Sequence, residues 1–310
     1  MSIKHYLAIA RPNHWFKNGF VLPGTAIAAL LTHASISQFA WPLFLGLIST
    51  CLVSSANYVI NEWVDAEFDR FHPVKKYRPA VVGAMKATLV YLEYSVLVAV
   101  GLSLAAMISK PLLVVAIAFW GMGVLYNVKP FRTKDRVYLD VLSESVNNPI
   151  RLTLGWFIVT SQPMPPSSLL LGYWMGGAFL MGIKRYAEFR FIADAKAAGL
   201  YRRSFRFYTE KSLLISSFFY AMSAAFFLGV FLIKYRIELL LSLPFLAGLF
   251  SWYLYIGLAP NSSAQHPEHL YREKYFITYV VFLIALVSAL LAFDLSWLDW
   301  FLSVSFITQQ

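Results

Sequence analysis

The chain has 310 residues, of which 59% are hydrophobic and 14% charged, with a formal net charge of +10. That balance excludes an ordinary soluble domain, and with no Gly/Ser/Pro-rich linker to divide it a single domain over residues 1–310 is expected. Cys51 is the only cysteine, which excludes an internal disulfide or a thiolate metal cluster.

A membrane-spanning helix needs ~20 mainly apolar residues. Nine stretches qualify, roughly 17–34, 39–60, 86–108, 111–128, 139–160, 167–187, 212–233, 237–258 and 275–294. The expected fold class is therefore an all-α, polytopic membrane protein with nine transmembrane helices. The fifth stretch is unusual in carrying Asp140, Glu144 and Arg151 inside it. No compelling internal repeat and no cleavable signal peptide stands out, since the first apolar run leads directly to further spans.

Basic residues mark the sidedness. They collect in the N-terminal segment (Lys4, Arg11, Lys17), after the second span (Arg70 to Lys86), after the fourth (Lys129 to Arg136), after the sixth (Lys184 to Lys211) and after the eighth (Arg272, Lys274). Only Lys110, Lys234 and Arg236 fall on the other side. The positive-inside rule places the N-terminus in the cytoplasm and the C-terminus outside. Much of the basic excess is then topogenic, and it gives no reason to expect a nucleic-acid partner.

Taken in chain order, the polar motifs open toward that cytoplasmic side. RPNHWFKN supplies Arg11, Asn13, His14, Lys17 and Asn18, and its Trp15 and Phe16 suit an interfacial anchor. After the second span comes NEWVDAEFDRFHPVKKYRP, beginning at Asn61. If the helix continues past the bilayer surface, Asn57, Asn61, Asp65 and Asp69 recur every four residues along one drifting stripe, with Glu62 and Glu67 beside or outside it. Hard oxygen ligands one turn apart suit Mg²⁺, and the cations just beyond them (Lys75, Lys76, Arg78) suit a metal-bound polyphosphate. The plain alternative is a solvated acidic helix end paired with its neighbours. YNVKPFRTK follows the fourth span with Tyr126, Lys129, Arg132 and Lys134.

In the fifth span Asp140, Glu144, Asn147, Asn148 and Arg151 follow i, i+4, i+7, i+8, i+11, which predicts one shared face. Ionisable groups inside a membrane usually face a protein interior and mark function; the alternative is a structural Glu144–Arg151 pair. The sixth span ends in KRYAE, with Lys184 and Glu188 one turn apart, and RRSFRFYT follows. His14 and His72 make no convincing metal pair. Walker A, HExxH, GxSxG and a strand-linked GxGxxG are all missing, so a P-loop ATPase, a serine hydrolase and a dinucleotide enzyme have no support.

Nine spans, the N-E-x-x-D-x-x-x-D segment after the second and the acidic turn DVLSE in the fifth resemble the UbiA superfamily of intramembrane prenyltransferases. RPNHWFKN, DRFHPVKKYRP from Asp69 and KRYAE with a later YT at Tyr208 resemble, within it, the decaprenyl-phosphate phosphoribosyltransferase branch. The likeness runs through roughly residues 8–215. It departs from the usual pattern at Glu62, where the first motif commonly has Asp, and at Glu144, where the second does; each keeps a carboxylate on a longer arm.

The resemblance implies a helical bundle around a central cavity open sideways to the bilayer, in a bacterial plasma membrane, with the active site facing the cytoplasm. It implies transfer of 5-phosphoribose from phosphoribosyl diphosphate to a polyprenyl phosphate such as decaprenyl phosphate, in cell-envelope synthesis, with release of diphosphate and dependence on Mg²⁺. Asp65 and Asp69 are then the expected metal ligands, supported by Asn61 and Glu62. Asp140 and Glu144 form a second acidic pair for metal or ribose hydroxyls. Lys17, Arg78, Lys129 and Lys184 are the expected phosphate contacts, followed by Lys75, Lys76, Arg132 and Arg151. The rival implied by the wider superfamily is transfer of a prenyl group from prenyl diphosphate to an aromatic or other acceptor. Membrane lipids are the other expected partners, and no motif specifies an oligomer.

Overall fold

The computed structural model describes residues 3–83, 85–192, 195–235, 237–260, 262–265 and 267–293, with 295 and 298. Its helices are α1 (Ile3–Ile9), α2 (Leu22–Thr32), α3 (Ile36–Asp69), α4 (Pro79–Val82), α5 (Ala87–Ile108), α6 (Lys110–Asn127) and α7 (Leu139–Ser145). They continue as α8 (Asn147–Val159), α9 (Ser167–Ile192), α10 (Ala195–Tyr201), α11 (Glu210–Tyr235), α12 (Leu243–Leu258) and α13 (Lys274–Ala292). Tight 3-10 stretches link several of them, and no strand occurs among the described residues.

Helix starts sit where the sequence supplies a cap. Ser35 and Gln38 form a capping box at the start of α3. The Ser109 hydroxyl accepts the Leu112 N–H at 3.3 Å and Pro111 occupies the first turn of α6, where its missing N–H costs nothing. Once started, α3 runs for 34 residues and carries its helical geometry out to Asp69. This continuity keeps Asn57, Asn61, Asp65 and Asp69 in one register.

Six helical segments are long and apolar enough to cross a membrane, which marks the chain as an integral membrane protein: Ile36–Asp69, Ala87–Ile108, Lys110–Asn127, Glu210–Tyr235, Ile237–Leu258 and Lys274–Leu291. The other three of the nine expected spans fall below that standard for local reasons. The first is divided between a 3-10 stretch, Pro12–Val21, and α2. The sixth, α9, is continuous but ends in Lys184, Arg185, Glu188 and Arg190. The fifth breaks at Val146. Pro149 has no N–H to offer the carbonyl of Ser145 and its ring crowds that carbonyl, so α7 stops at Ser145. The single polar face expected from Asp140 to Arg151 is thereby corrected to two short helices meeting at a joint.

Two apolar cores flank this joint. One gathers Phe179 and Ile183 of α9 with Tyr253 and Ile256 of α12; the other gathers Val53 of α3, Leu112 and Phe119 of α6 and Trp156 of α8. Where α2 crosses α8 the backbones touch: a Cβ on Gly24 would run into the Leu152 carbonyl, and one on Gly155 into the Val21 carbonyl. Such small-residue contact is how helices pack without a hydrophobic difference from lipid. The segments that follow α3, α6 and α9 meet at one end, as the Asp65–Arg132, Glu188–Lys75 and Asp140–Arg202 pairs show. The interfacial segment expected at 295–310 lies, but for 295 and 298, outside the described residues.

Candidate active site

The stripe on α3 forms the first wall of this polar end. Asp65 Oδ1 meets Arg132 Nη2 at 2.8 Å and Lys134 Nζ at 2.5 Å, and its Oδ2 has Asn61 Nδ2 at 3.3 Å. Asn127 of α6 ties the group together, accepting from both Asn61 and Lys134. One turn on, Asp69 is buried against Arg78 Nη1 at 2.5 Å. Glu62 leaves the stripe, being offset by ~100° from Asn61, and is bound by Arg11. Arg11 and Arg132 reach these acids from left-handed backbone, with φ of 49° and 32°. For residues other than glycine that conformation costs about 1–2 kcal/mol, and strain of this kind collects at functional sites.

The second wall is built by α6, α7 and α9. Glu144 Oε2 accepts from Tyr126 OH at 2.7 Å and pairs with Arg185 Nη2 at 2.5 Å. A structural Glu144–Arg151 pair was the alternative reading of the fifth span; the break at Val146 sends Arg151 instead to Asn18 Oδ1, at 3.1 Å, and over the Phe119 ring. Asp140 is fully enclosed, with Tyr208 OH at 2.7 Å on one oxygen and Ser204 Oγ at 3.1 Å on the other. It thereby anchors the segment after α10 to α7.

A buried acid on α9 joins the two walls. Glu188 Oε2 pairs with Arg185 Nη1 at 3.2 Å, while Oε1 meets Lys75 Nζ at 2.6 Å and Tyr201 OH at 3.2 Å. His72 shapes the turn that presents Lys75: its Nδ1 accepts the Val74 and Lys75 N–H groups at 3.1 and 3.2 Å. Nε2 therefore carries the proton and faces Glu188 at 3.5 Å. Arg202 closes the layer, touching Tyr126 OH at 3.4 Å and standing within electrostatic reach of Asp65, Glu144 and Glu188. The acids of α3 and α7 thus share one polar layer.

Burial sets the charge states of the loop groups. It holds His72 below its ordinary pKa, hence neutral at pH 7. It lowers Lys75 and Lys134 to about 8, despite the carboxylates that pull each the other way. Arg202 is held well above its usual value by the acids and phenols around it, against the effect of burial.

Among the described residues no three of His, Cys, Asp and Glu gather closely enough to hold a metal by themselves. Mg²⁺ seldom needs that, since it rests on one or two carboxylates and completes its octahedron with water and substrate phosphate. Asn61 and Asp65 offer neutral and anionic hard oxygens one turn apart, with Asp69 a turn further, so the donor chemistry fits. Glu62, turned toward Arg11, does not join them.

Of the expected phosphate contacts, Lys75, Arg78 and Arg132 enter the layer, and Lys17 and Lys184 border it, Lys17 beside His14. Lys76 and Lys129 are exposed outside it. The sequence reading gave no role to Arg185, Glu188 or Arg202. Their signal was the KRYAE and RRSFRFYT segments, which pattern alone could not aim inward.

Below the layer lies a cavity of about 680 Å³ between α2, α9, α11 and α13, lined by Leu30, Leu169, Tyr173, Leu228, Phe231 and Val287. Asn148, at the start of α8, and Gly177 also line it. One oily chamber and one charged layer are therefore stacked in the same bundle.

A family model described as the UbiA prenyltransferase family matches residues 21–277. Nodulation protein NoeC of Azorhizobium caulinodans is 27% identical over 201 residues, covering 64% of this chain and 62% of its own. Decaprenyl-phosphate phosphoribosyltransferase of Mycobacterium tuberculosis is 29% identical over 205 residues, covering 66% and 65%. The match thus spans just under two thirds of the length of these relatives. A UbiA homolog from Archaeoglobus fulgidus, solved bound to GPP and Mg²⁺, shares the fold with a TM-score of 0.69 at 20% identity, over 92% of this chain and 99% of that one.

Proposed function

The chain belongs to the UbiA prenyltransferase family, and from that premise we propose that it is a polyprenyl-phosphate phosphoribosyltransferase. The proposed reaction moves 5-phosphoribose from phosphoribosyl diphosphate to a polyprenyl phosphate. An oxygen of the lipid phosphate bonds to the ribose anomeric carbon, the bond from that carbon to diphosphate breaks, and diphosphate leaves with the electron pair. The lipid phosphate has a second pKa of roughly 6 and is largely ionised at neutral pH, so no strong base is needed to make it a nucleophile.

The observation that carries this reading is the density of cations around one layer: Arg132, Lys134 and Arg185 are buried there, and Arg78, Lys75 and Arg202 half-buried. A prenyl diphosphate brings one diphosphate; the phosphoribosyl reaction brings a diphosphate, a 5-phosphate and a lipid phosphate together. Each Asp–cation pair resembles, with its signs internal to the protein, a metal–phosphate pair. With donor bound, Asp65 and Asp69 would serve the metal, and Arg132, Lys134 and Arg78 would offer their N–H groups to phosphate oxygens. Asn61, Asp65 and Asp69 would hold Mg²⁺, whose bound charge neutralises the departing diphosphate. Asp140 keeps the α7 turn in place, while Glu144 and Glu188 hold Arg185 aimed at the layer.

Two buried amide oxygens support a hydroxyl-bearing donor. Asn57 Oδ1 and Asn147 Oδ1 have no hydrogen-bond donor, and a buried acceptor left unmade costs about 1–3 kcal/mol. Ribose hydroxyls answer that need and a hydrocarbon chain does not. Gly123 lets Asn57 lie against α6, since a Cβ there would collide with its amide.

The cavity takes the first part of the polyprenyl tail, and the remainder stays in hydrocarbon. All nine helical stretches would cross a plasma membrane as one transferase unit, N-terminus and charged layer inside, C-terminus outside. Transfer of a prenyl group is the second reading, favoured by the family description and by the GPP-bound neighbour.

The deciding assay offers purified protein Mg²⁺ with either phosphoribosyl diphosphate and polyprenyl phosphate, or prenyl diphosphate and an aromatic acceptor. Diphosphate release with the first mixture is expected. Turnover only with the second selects prenyl transfer.

A further inference from the structure

The cations of the buried end divide into two kinds. Arg11, Lys75, Arg78, Arg132, Lys134, Arg185 and Arg202 each have a carboxylate oxygen within 4.0 Å. Arg151 and Lys184, among the described residues, have none. Arg151 is held by neutral groups, donating from Nε to Asn18 Oδ1 at 3.1 Å and from Nη1 to the Asn147 carbonyl at 3.5 Å, with its guanidinium 4.8 Å above the Phe119 ring. Lys184 makes no hydrogen bond or ion pair among the described residues; Glu144, Lys17, Arg185 and Glu188 are the charges within its reach. Arg151 and Lys184 are both half-buried; a cation with no carboxylate partner is open to an anionic ligand, and ionisable residues inside a membrane protein usually mark a ligand path.

Neither lines the cavity itself, but each stands one helical turn from a residue that does. Arg151 lies one turn along α8 from Asn148, which lines the oily cavity, and donates to the Asn147 carbonyl beside it. Lys184 lies one turn beyond Leu180, which also lines the cavity, and next to Arg185 of the layer. A ligand that satisfies both must be an anion joined to a hydrocarbon chain. A phosphate monoester carries ≈ −1.5 to −2 charges at neutral pH, which matches the two cations.

We propose that Arg151 and Lys184 form the binding site for the acceptor lipid's phosphate, at the mouth of the apolar cavity and separate from the Asp65 site that takes the metal–diphosphate of the donor. The inference rests on the phosphoribosyl reading for its choice of lipid phosphate as acceptor. Placement on the cavity rim orients the headgroup toward the donor while the tail runs down between α9 and α11. The donor, which has no tail, gains nothing from a cation at this depth.

The test compares binding of a polyprenyl phosphate with that of the same polyprenol, on the full chain in detergent, by native mass spectrometry. Wild-type protein is expected to prefer the phosphate, and Arg151→Met and Lys184→Met each to reduce that preference by roughly 10-fold, the worth of a hydrogen bond to a charged group. Arg151→Lys keeps the charge and should retain most of it. Mg²⁺-dependent binding of phosphoribosyl diphosphate should stay within about twofold in all three, as it depends on the other site. Should Arg151→Met fail to fold, Lys184→Met carries the comparison, with thermal unfolding as the check. Wild-type preference retained in Lys184→Met and Arg151→Met, or no preference in wild type, overturns the proposal. A preserved, Arg151-dependent preference in protein that does not transfer phosphoribose overturns the proposed reaction and leaves this site standing.

Discussion

The charged layer and the oily cavity beneath it solve opposite problems with the same helices. In the layer nearly every side chain is fixed by a partner: Asp65 by Arg132 and Lys134, Asp69 by Arg78, Glu188 by Lys75 and Arg185. In the cavity, Leu30, Leu169 and Phe231 offer shape and no directional bond. The layer can therefore discriminate charge and geometry, and the cavity only length and bulk. α9 belongs to both, lining the cavity with Tyr173 and Gly176 and the layer with Arg185 and Glu188.

Substitutions can separate the two. Asp65→Asn keeps the size of the side chain and removes its charge, so turnover should fall by roughly 10³-fold, as when a catalytic electrostatic group is lost. The protein should still extract as a folded helical species, and turnover near wild type would remove Asp65 from the site. Arg185→Met strips the shared partner of Glu144 and Glu188; breaking a buried pair costs about 3–5 kcal/mol, to be read as a lowered Tm in detergent. An unchanged Tm would show that the two walls are held independently.

Gly176 probes the other chamber. A Cβ there would lie 3.7 Å from the Phe250 ring, so the backbone tolerates it, but a Phe would fill cavity space. Gly176→Phe should raise KM for a long polyprenyl phosphate by about 10-fold, within the 1–3 kcal/mol that hydrophobic pocket changes supply, and leave the donor KM alone. An equal effect on both substrates would mean the chambers are not separate.

The pH profile distinguishes them more gently. Lys75 and Lys134 are lowered by burial from 10.5 to about 8. As pH rises through 8 they become neutral and stop attracting phosphate, so kcat/KM for the donor should fall on the basic side, that ratio reporting the free enzyme. Stability moves the other way. Between pH 8 and about 10 the unfolded chain holds these protons and the folded one has released them, so rising pH favours the fold through these two groups. Loss of activity accompanied by loss of Tm in that window would show that unfolding, not lysine titration, sets the limb. Smallest of all, exposed Lys76→Ala should change donor KM by less than about twofold, as surface charges usually act weakly.

The contrast was only half legible in the sequence. Spacing by four residues was enough to put Asn61, Asp65 and Asp69 on one stripe, because α3 stays continuous through Asp69. The same reasoning failed from Asp140 to Arg151, because Pro149 breaks the ladder and turns Arg151 away from Glu144. Lys75 and Lys76 are neighbours of the same type; only the turn built on His72 sends one inward and leaves the other in water.

Composition and local periodicity alone determined that this is a helical membrane protein with its acids clustered near helix ends, since apolar run length and helical pitch act over a few residues at a time. Which acid meets which cation was decided by packing. Glu188 and Lys75 are 113 residues apart, and Arg185 faces Glu144 across 41. Those encounters depend on how helices cross and where loops return, and no spacing along the chain encodes a distance through space.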